Sequence, residues 1–286
     1  MIGKSKPVLD HGYVKLIDVM GTDEDVVAAA RVSYARGTKT VSDDIALINY
    51  LMRHSHTSPF EQVVFKFELK VPLAIWQQFL RHRTASLNQE SHRYSEVCED
   101  FYQIEPNQWR GQGIENIQGS EELADQLKID NFSMSQSDCI GEDLNLYKCL
   151  ISNGVAREQA RFVLPSSLYT RAIWTMDLHN LLHFLKLRLD SKAQYEFQLY
   201  AQAISEFVQD RCPLVWQAFE NYVLNSVTFS QQEQRSLSIL LATAKFSKAN
   251  VKRMVELHPG LSKGEKRDLL DKLEKIVTYD IDTGED

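Results

Sequence analysis

The chain has 286 residues, 43% of them hydrophobic and 25% charged, with a formal net charge of −7; such statistics describe a globular protein of one large or two small domains. The acidic balance argues against nonspecific nucleic-acid binding, which needs many Lys and Arg contacts to phosphate. No apolar run approaches the ~20 residues that span a bilayer, and Met1 to Pro7 lacks a signal-peptide core, so the expectation is a cytoplasmic protein without a membrane or nucleic-acid partner.

Gly12 to Met20 alternates imperfectly and reads as a strand, closed by Gly21 and followed by Thr22 as N-cap of an Ala/Val-rich helix to about Ser33. A second helix is expected from about Ser42 to His54. Val63 to Val71 is the cleanest strand, since Phe65, Phe67, Leu69 and Val71 alternate with Lys66, Glu68 and Lys70. Pro72 then opens an apolar, helix-like run to Leu80. Residues 105–119, with Pro106, Gly111, Gly113 and Gly119, read as a surface excursion, and helices are expected to dominate from about Ser120. After about Leu224 the character changes. Ser230-x-x-Glu233 and Ser262-x-x-Glu265 are capping boxes separated by Pro259-Gly260, so residues 226–286 read as a helical extension to a 1–225 domain.

The segment Arg81-His82-Arg83-Thr84-Ala85-Ser86-Leu87-Asn88-Gln89-Glu90-Ser91-His92-Arg93-Tyr94-Ser95 carries the chemistry. Arginine's fixed fork of donors suits phosphate and polarised carbonyl oxygens, and the interleaved hydroxyls and amides add short neutral hydrogen bonds. In an acidic chain this composition points to a confined site for a small anion. His54-x-His56 sits at a helix end, where neighbouring side chains are expected to diverge rather than ligate a metal together. His179 and His183 share a helix face, but Asn180 stands where the glutamate of a zinc-protease helix would be, so no metal is expected. Arg157 to Pro165 reads as a charged helix from which Arg161 turns inward. Cys98, Cys139, Cys149 and Cys212 form no C-x-x-C pair, and neither a Gly-x-Ser-x-Gly elbow nor a Gly-rich phosphate loop occurs.

Taken together, Arg81-His82-Arg83, seven intervening residues and Ser91 resemble the signature of the flavin-dependent thymidylate synthases. The likeness extends to Ala28-Ala29-Ala30-Arg31-Val32-Ser33, His54-x-His56-x-x-Pro59-Phe60-Glu61, Arg161-x-x-Leu164-Pro165, Tyr169-Thr170-Arg171 and Leu187-Arg188-x-Asp190-x-x-Ala193-Gln194. The resemblance implies an α/β fold with an antiparallel-rich sheet, long helices and active sites at the subunit interfaces of a homotetramer. It implies reductive methylation of dUMP to dTMP, with 5,10-methylenetetrahydrofolate as carbon donor, FAD reduced by NADPH as hydride source, and tetrahydrofolate as folate product.

By the same likeness dUMP meets Gln78, Arg81, Gln89, Glu90, Ser91, His92, Arg93, Arg161 and Arg188. FAD meets Ser58, Arg81, His82, Arg83, Thr84, Gln89, Asp177, Leu178, His179 and His183, and the catalytic candidates are Arg188, His56 and Ser91. Arg188 is the candidate for stabilising negative charge in the uracil ring as C5 becomes nucleophilic. Two departures stand out: Gln89 where the family commonly has Glu, and Lys192 where it commonly has His. Open rivals are a flavin-dependent relative with another one-carbon product or pyrimidine, a phosphohydrolase using a metal on His54, His56, His179 and His183, and a noncatalytic nucleotide-binding regulator.

Overall fold

The structure, a computed structural model, describes residues 1–32, 41–113, 120–122, 126–243 and 248–277. It comprises two units, Met1–Asn225 and Ser226–Asp286. In chain order the first unit contains β1 (Ser5–Val8), β2 (Gly12–Met20), α1 (Asp23–Val32), α2 (Val41–Arg53), β3 (Val64–Pro72), α3 (Leu73–Phe79) and β4 (Ser86–Gln89). The pair β5 (Arg110–Gln112) and β6 (Ser120–Glu122) follows, then α4 (Gln126–Ser152), α5 (Arg157–Ala160), β7 (Tyr169–Asp177), α6 (Leu178–Arg188), α7 (Tyr195–Arg211) and α8 (Pro213–Phe219).

Five strands form an antiparallel sheet in the order β1-β2-β3-β7-β4. The alternation expected of residues 63–71 is met: Phe65, Phe67, Leu69 and Val71 are fully buried, while Lys66 is exposed. The aromatic run after Leu168 is a central strand rather than part of a helical region, with Ala172, Trp174 and Met176 on the buried face and Arg171 exposed on the other. Trp174 and Phe67 face each other across the β3–β7 pair, and α3, α6 and α7 cover them with Phe79, Phe184, Phe197 and Phe207. This aromatic layer is the floor on which the site is built.

Thr22 caps α1 as expected: Glu24 N donates to Thr22 Oγ1 (3.2 Å), and Thr22 N donates to Asp25 Oδ2 (2.8 Å). Ser33, Gly119 and the acidic tip 280–286 lie outside the described residues. The second unit contains α9 (Gln231–Thr243), α10 (Lys248–Leu257) and α11 (Lys263–Val277). Both capping boxes form there. Ser230 Oγ accepts from Glu233 N (3.3 Å) and Glu233 Oε2 from Ser230 N (2.6 Å), and Ser262 and Glu265 repeat the arrangement at 3.3 and 2.9 Å.

Candidate active site

Strand register places the two ends that matter. Pro72, at the end of β3, pairs with Tyr169 at the start of β7, whereas Asp177, at the end of β7, pairs with Val64 at the start of β3. Each strand runs directly into a helix, so α3 and α6 start at opposite ends of a strand pair about 30 Å long. At 1.5 Å per residue they are about 10 and 16 Å long, enough for their C-terminal ends to meet. Phe79 and Phe184 stack where they do, at 5.6 Å. Beyond Phe79 the chain makes a tight turn, with Arg81 N donating to Gln78 O (3.1 Å) and His82 N to Phe79 O (3.0 Å).

That turn alternates the signature residues. Arg81, Arg83 and Thr84 are exposed, and His82 is buried. Arg188 Nε donates to His82 Nε2 at 3.0 Å, its guanidinium lies 4.8 Å over the Phe197 ring, and His82 stands edge-on to Phe184 at 4.8 Å. Because arginine can only donate, Nε2 carries the lone pair and the proton resides on Nδ1. Burial, then the charges of Arg188 and His183, push the His82 pKa down to about 4. The imidazole is therefore neutral at physiological pH. Burial also lowers the pKa of Arg188.

Downstream, residues 86–89 form edge strand β4 against β7. Gln89 is locked into it: Trp76 Nε1 donates to Gln89 Oε1 (2.8 Å), and Gln89 Nε2 donates to Thr170 Oγ1 (3.2 Å). The carboxamide thus bridges two buried residues without placing a charge there. Glu90 accepts both arms of Arg171 (3.2 and 3.3 Å), and these bonds hold its carboxyl below its ordinary pKa. Ser91 Oγ accepts from Arg93 N (3.4 Å), capping the turn that follows. His92 is buried, its Nε2 has no hydrogen-bond partner among the described residues, and burial lowers its pKa. Arg93 pairs with Glu158 (3.1 Å), where α5 gives way to the single turn 161–163 that carries a half-buried Arg161. Gln78 hydrogen-bonds Gln194, tying α3 to the segment that contains the exposed Lys192.

The remaining assigned residues gather at the other end of α6. Asp177 caps that helix, accepting from Asn180 N (3.0 Å), and Leu178 N donates to Val63 O (2.7 Å), which ties the helix start to the connection bearing His56 and Ser58. His56 and Ser58 are exposed, His179 is half-buried and His183 exposed. Leu178 is fully buried in the core, so its side chain presents no surface to a flavin within this chain. Its apolar character, which suits a ligand wall, here serves packing.

The histidine pair also departs from expectation. Instead of diverging, both rings flank Tyr50, at 4.4 Å for His54 and 5.6 Å for His56, and lie 6.3 Å from each other. The cause is the helix end: His56 N donates to Leu51 O (2.9 Å) and Ser55 N to Met52 O (3.2 Å), with Ser55 at φ +56°. This is a Schellman ending in which a serine occupies the left-handed position that glycine usually takes.

Sequence reasoning passed over Trp76 and Thr170, which clamp Gln89, and Phe184 and Phe197, which carry His82 and Arg188. Trp76, Phe184 and Phe197 carry only an apolar sequence signal, indistinguishable from that of ordinary core, and Thr170 stands in the Tyr169-Thr170-Arg171 motif without any sign that it binds Gln89. Cys98 and Cys212 have thiols whose pKa burial raises, Cys212 to about 12, so neither is an activated nucleophile. Among the described residues no group of three or more His, Cys, Asp or Glu is arranged to hold a metal ion, and no helix is long and apolar enough to cross a membrane.

Arg81, Arg83 and Arg161 form no ion pair among the described residues. Guanidiniums without carboxylate partners, two of them flanking the His82 that meets Arg188 on its aromatic rings, suit ligands that combine phosphates with a flat conjugated ring. A flavin dinucleotide and a pyrimidine nucleotide both have that character, so the donor set fits them.

An antiparallel sheet whose helix α3 ends in a turn that carries unpaired Arg81 and Arg83 around the His82–Arg188 pair is the α/β frame of a candidate anion site. Residues 15–214 match the family described as thymidylate synthase complementing protein. A flavin-dependent thymidylate synthase of Thermus thermophilus is 51% identical over 85% of this chain and 88% of its own, and one of Ehrlichia ruminantium is 42% identical over 94% and 88%. Among solved structures, a UMP/dUMP methylase, PolB of Streptomyces cacaoi, bound with 5-Br UMP, is 30% identical with a TM-score of 0.69, covering 77% of this chain and 99% of its own. The chain belongs to the flavin-dependent thymidylate synthase family.

Proposed function

We propose that the protein converts dUMP to dTMP, taking the one-carbon unit from 5,10-methylenetetrahydrofolate and the reducing equivalents from NADPH through FAD, and releasing tetrahydrofolate and NADP. The observation that carries this reading is the His82–Arg188 pair flanked by the unpaired Arg81 and Arg83, in a chain whose relatives bear that activity in their names. Arg161, Arg81 and Arg93 supply charge-assisted donors to the nucleotide phosphate. Arg93 exchanges its bond to Glu158 for one to phosphate.

Gln78, the buried His92 and the Ser91 turn frame the nucleotide. Arg188 faces the uracil edge, where its charge stabilises negative charge growing on the ring as C5 becomes nucleophilic. Bound flavin supplies the hydride chemistry; Arg83, Thr84, His179, His183 and the Ser58 and Asp177 backbones orient it and exclude water. His56, presented on the Tyr50 platform, serves folate or flavin at the open side.

The assigned flavin residues fall at both ends of α6, a helix about 16 Å long, which supports sites completed between subunits of a homotetramer. Such an enzyme works in the cytoplasm. Gln89, in place of a carboxylate, removes a negative charge near flavin and nucleotide, and Lys192 stands in place of a histidine. A second reading, that UMP is also accepted, is favoured by the likeness to the UMP/dUMP methylase. The test is spectroscopic and kinetic: the purified protein is expected to take up FAD noncovalently and to oxidise NADPH in a dUMP-dependent manner. Failure to bind flavin from an intact fold contradicts the proposal, and comparing dUMP with UMP decides the second reading.

A further inference from the structure

Among the described residues of the first unit, most cations that are held in place are held by carboxylates. Lys70 pairs with Asp100, Arg93 with Glu158 and Arg171 with Glu90. Arg188 differs: no ion pair involves it among the described residues, and its partner is the neutral imidazole of His82 at 3.0 Å. Both side chains rest on the same rings. Arg188 lies over Phe197, while His82 stands edge-on to Phe184 at 4.8 Å and to Phe197 at 6.4 Å.

The chemical difference between the two kinds of partner is decisive. A carboxylate would orient the guanidinium but cancel much of its charge in a partly buried setting. A neutral nitrogen acceptor takes only Nε–H, fixes the plane of the guanidinium, and leaves both terminal nitrogens and the full positive charge for a ligand. A donor-only side chain in that position could not accept from Nε–H and so could not orient the guanidinium.

We propose that His82 is the positioning residue for Arg188, orienting its guanidinium through a neutral Nε2 acceptor without compensating its charge. The inference rests on the reading that Arg188 faces the uracil. His82 acts through Arg188 and need not touch the flavin. Its place in the signature follows from geometry, because the residue after Arg81 is where the turn ending α3 points into the Phe184–Phe197 platform.

Three His82 variants, R188A alone and combined with H82L, and one spectrum test this on the full-length, flavin-loaded protein. H82L keeps the bulk but loses the acceptor, and is expected to lower kcat ~100-fold, the scale for one misplaced transition-state donor, with little change in flavin affinity. H82Q, whose Oε1 can stand where Nε2 stood, should restore kcat to within about tenfold of the parent. H82N, too short to reach Arg188 Nε, should behave like H82L, and as a polar variant it serves if H82L does not fold. In an R188A background H82L should cost little further, because both changes remove the same interaction.

Nitrogen NMR of the protein without substrates should find His82 as the Nδ1–H tautomer, with Nε2 shifted by its bond to Arg188 and released in R188A. Parent-like turnover in H82L or H82N, full additivity with R188A, or an Nε2–H tautomer overturns the proposal. The two readings fail separately. R188A with undiminished turnover removes the role of Arg188 in the reaction, whereas a crippled R188A beside a fully active H82L or H82N removes only the positioning by His82.

Discussion

The two units of this chain are held by different means, and the contrast explains where its chemistry lies. In Met1–Asn225 the functional side chains depend on partners far away in sequence: His82 on Arg188, Gln89 on Trp76 and Thr170, Glu90 on Arg171. Fully buried Trp, Phe and Tyr residues supply the stiffness that keeps such pairs in register. In Ser226–Asp286 the bonds that open α9 and α11 are local, each a capping box between a Ser and the Glu three residues on, and although the helices pack on one another, Ile239, Leu240, Met254 and Leu257 are exposed. A site that must hold an arginine in a fixed orientation needs the first kind of support. Every residue assigned to the site lies in that unit.

The largest effect that sharpens this contrast is expected from R188A. Removing a donor that matters most as charge develops should lower kcat by ~10²–10³, while FAD remains bound and the fold intact, as read by steady-state kinetics and the flavin spectrum. R161A should act differently. Loss of a charge-assisted bond to phosphate, about 1.5–3 kcal/mol, predicts a KM for dUMP raised ~10- to 100-fold with a smaller change in kcat. Equal effects of the two variants on kcat would erase the distinction between an arginine held by His82 and one without an ion-pair partner.

The neutral His82 should also leave a mark on stability. Its pKa is about 4 in the folded protein against an ordinary 6.5, so between those values the unfolded chain binds more protons. This contribution to stability is complete above pH 6.5 and is lost as pH falls toward 4. The melting temperature of the parent should therefore drop more steeply over that window than that of H82Q, which cannot titrate there. Least consequential for catalysis are the caps of the second unit. S230A and S262A should each cost that unit about 1 kcal/mol, seen as lower helicity or a lower thermal midpoint, and leave turnover unchanged. Turnover lost with either cap would place the second unit at the active site.

Legibility in the sequence followed the range of the interactions. The β3 alternation, the Thr22 cap and the two Ser-x-x-Glu boxes were readable because their partners lie within a few residues. Strand β7 carries period-two alternation at Ala172, Trp174 and Met176, but the expectation that helices dominate after about Ser120 leaves it unassigned. Strand β4 had no such signal; Ser-Leu-Asn-Gln becomes a strand because β7 offers it an edge. The arginines announced a site by type and spacing. That His82 faces inward, that Gln89 bridges Trp76 to Thr170, and that Leu178 is core could not be read, since each depends on two antiparallel strands sending helices back toward each other. The Schellman ending at Ser55, which brings His54 and His56 onto Tyr50, was hidden because a serine stands where a glycine would have flagged it.

Incubating the purified protein with FAD, NADPH, 5,10-methylenetetrahydrofolate and dUMP, and resolving the products by mass spectrometry, addresses the central claim most directly. dTMP and tetrahydrofolate are expected in equal amounts, formed only when all components are present. Unchanged dUMP with an intact, flavin-loaded protein, or release of deoxyuridine and phosphate without flavin, would contradict it.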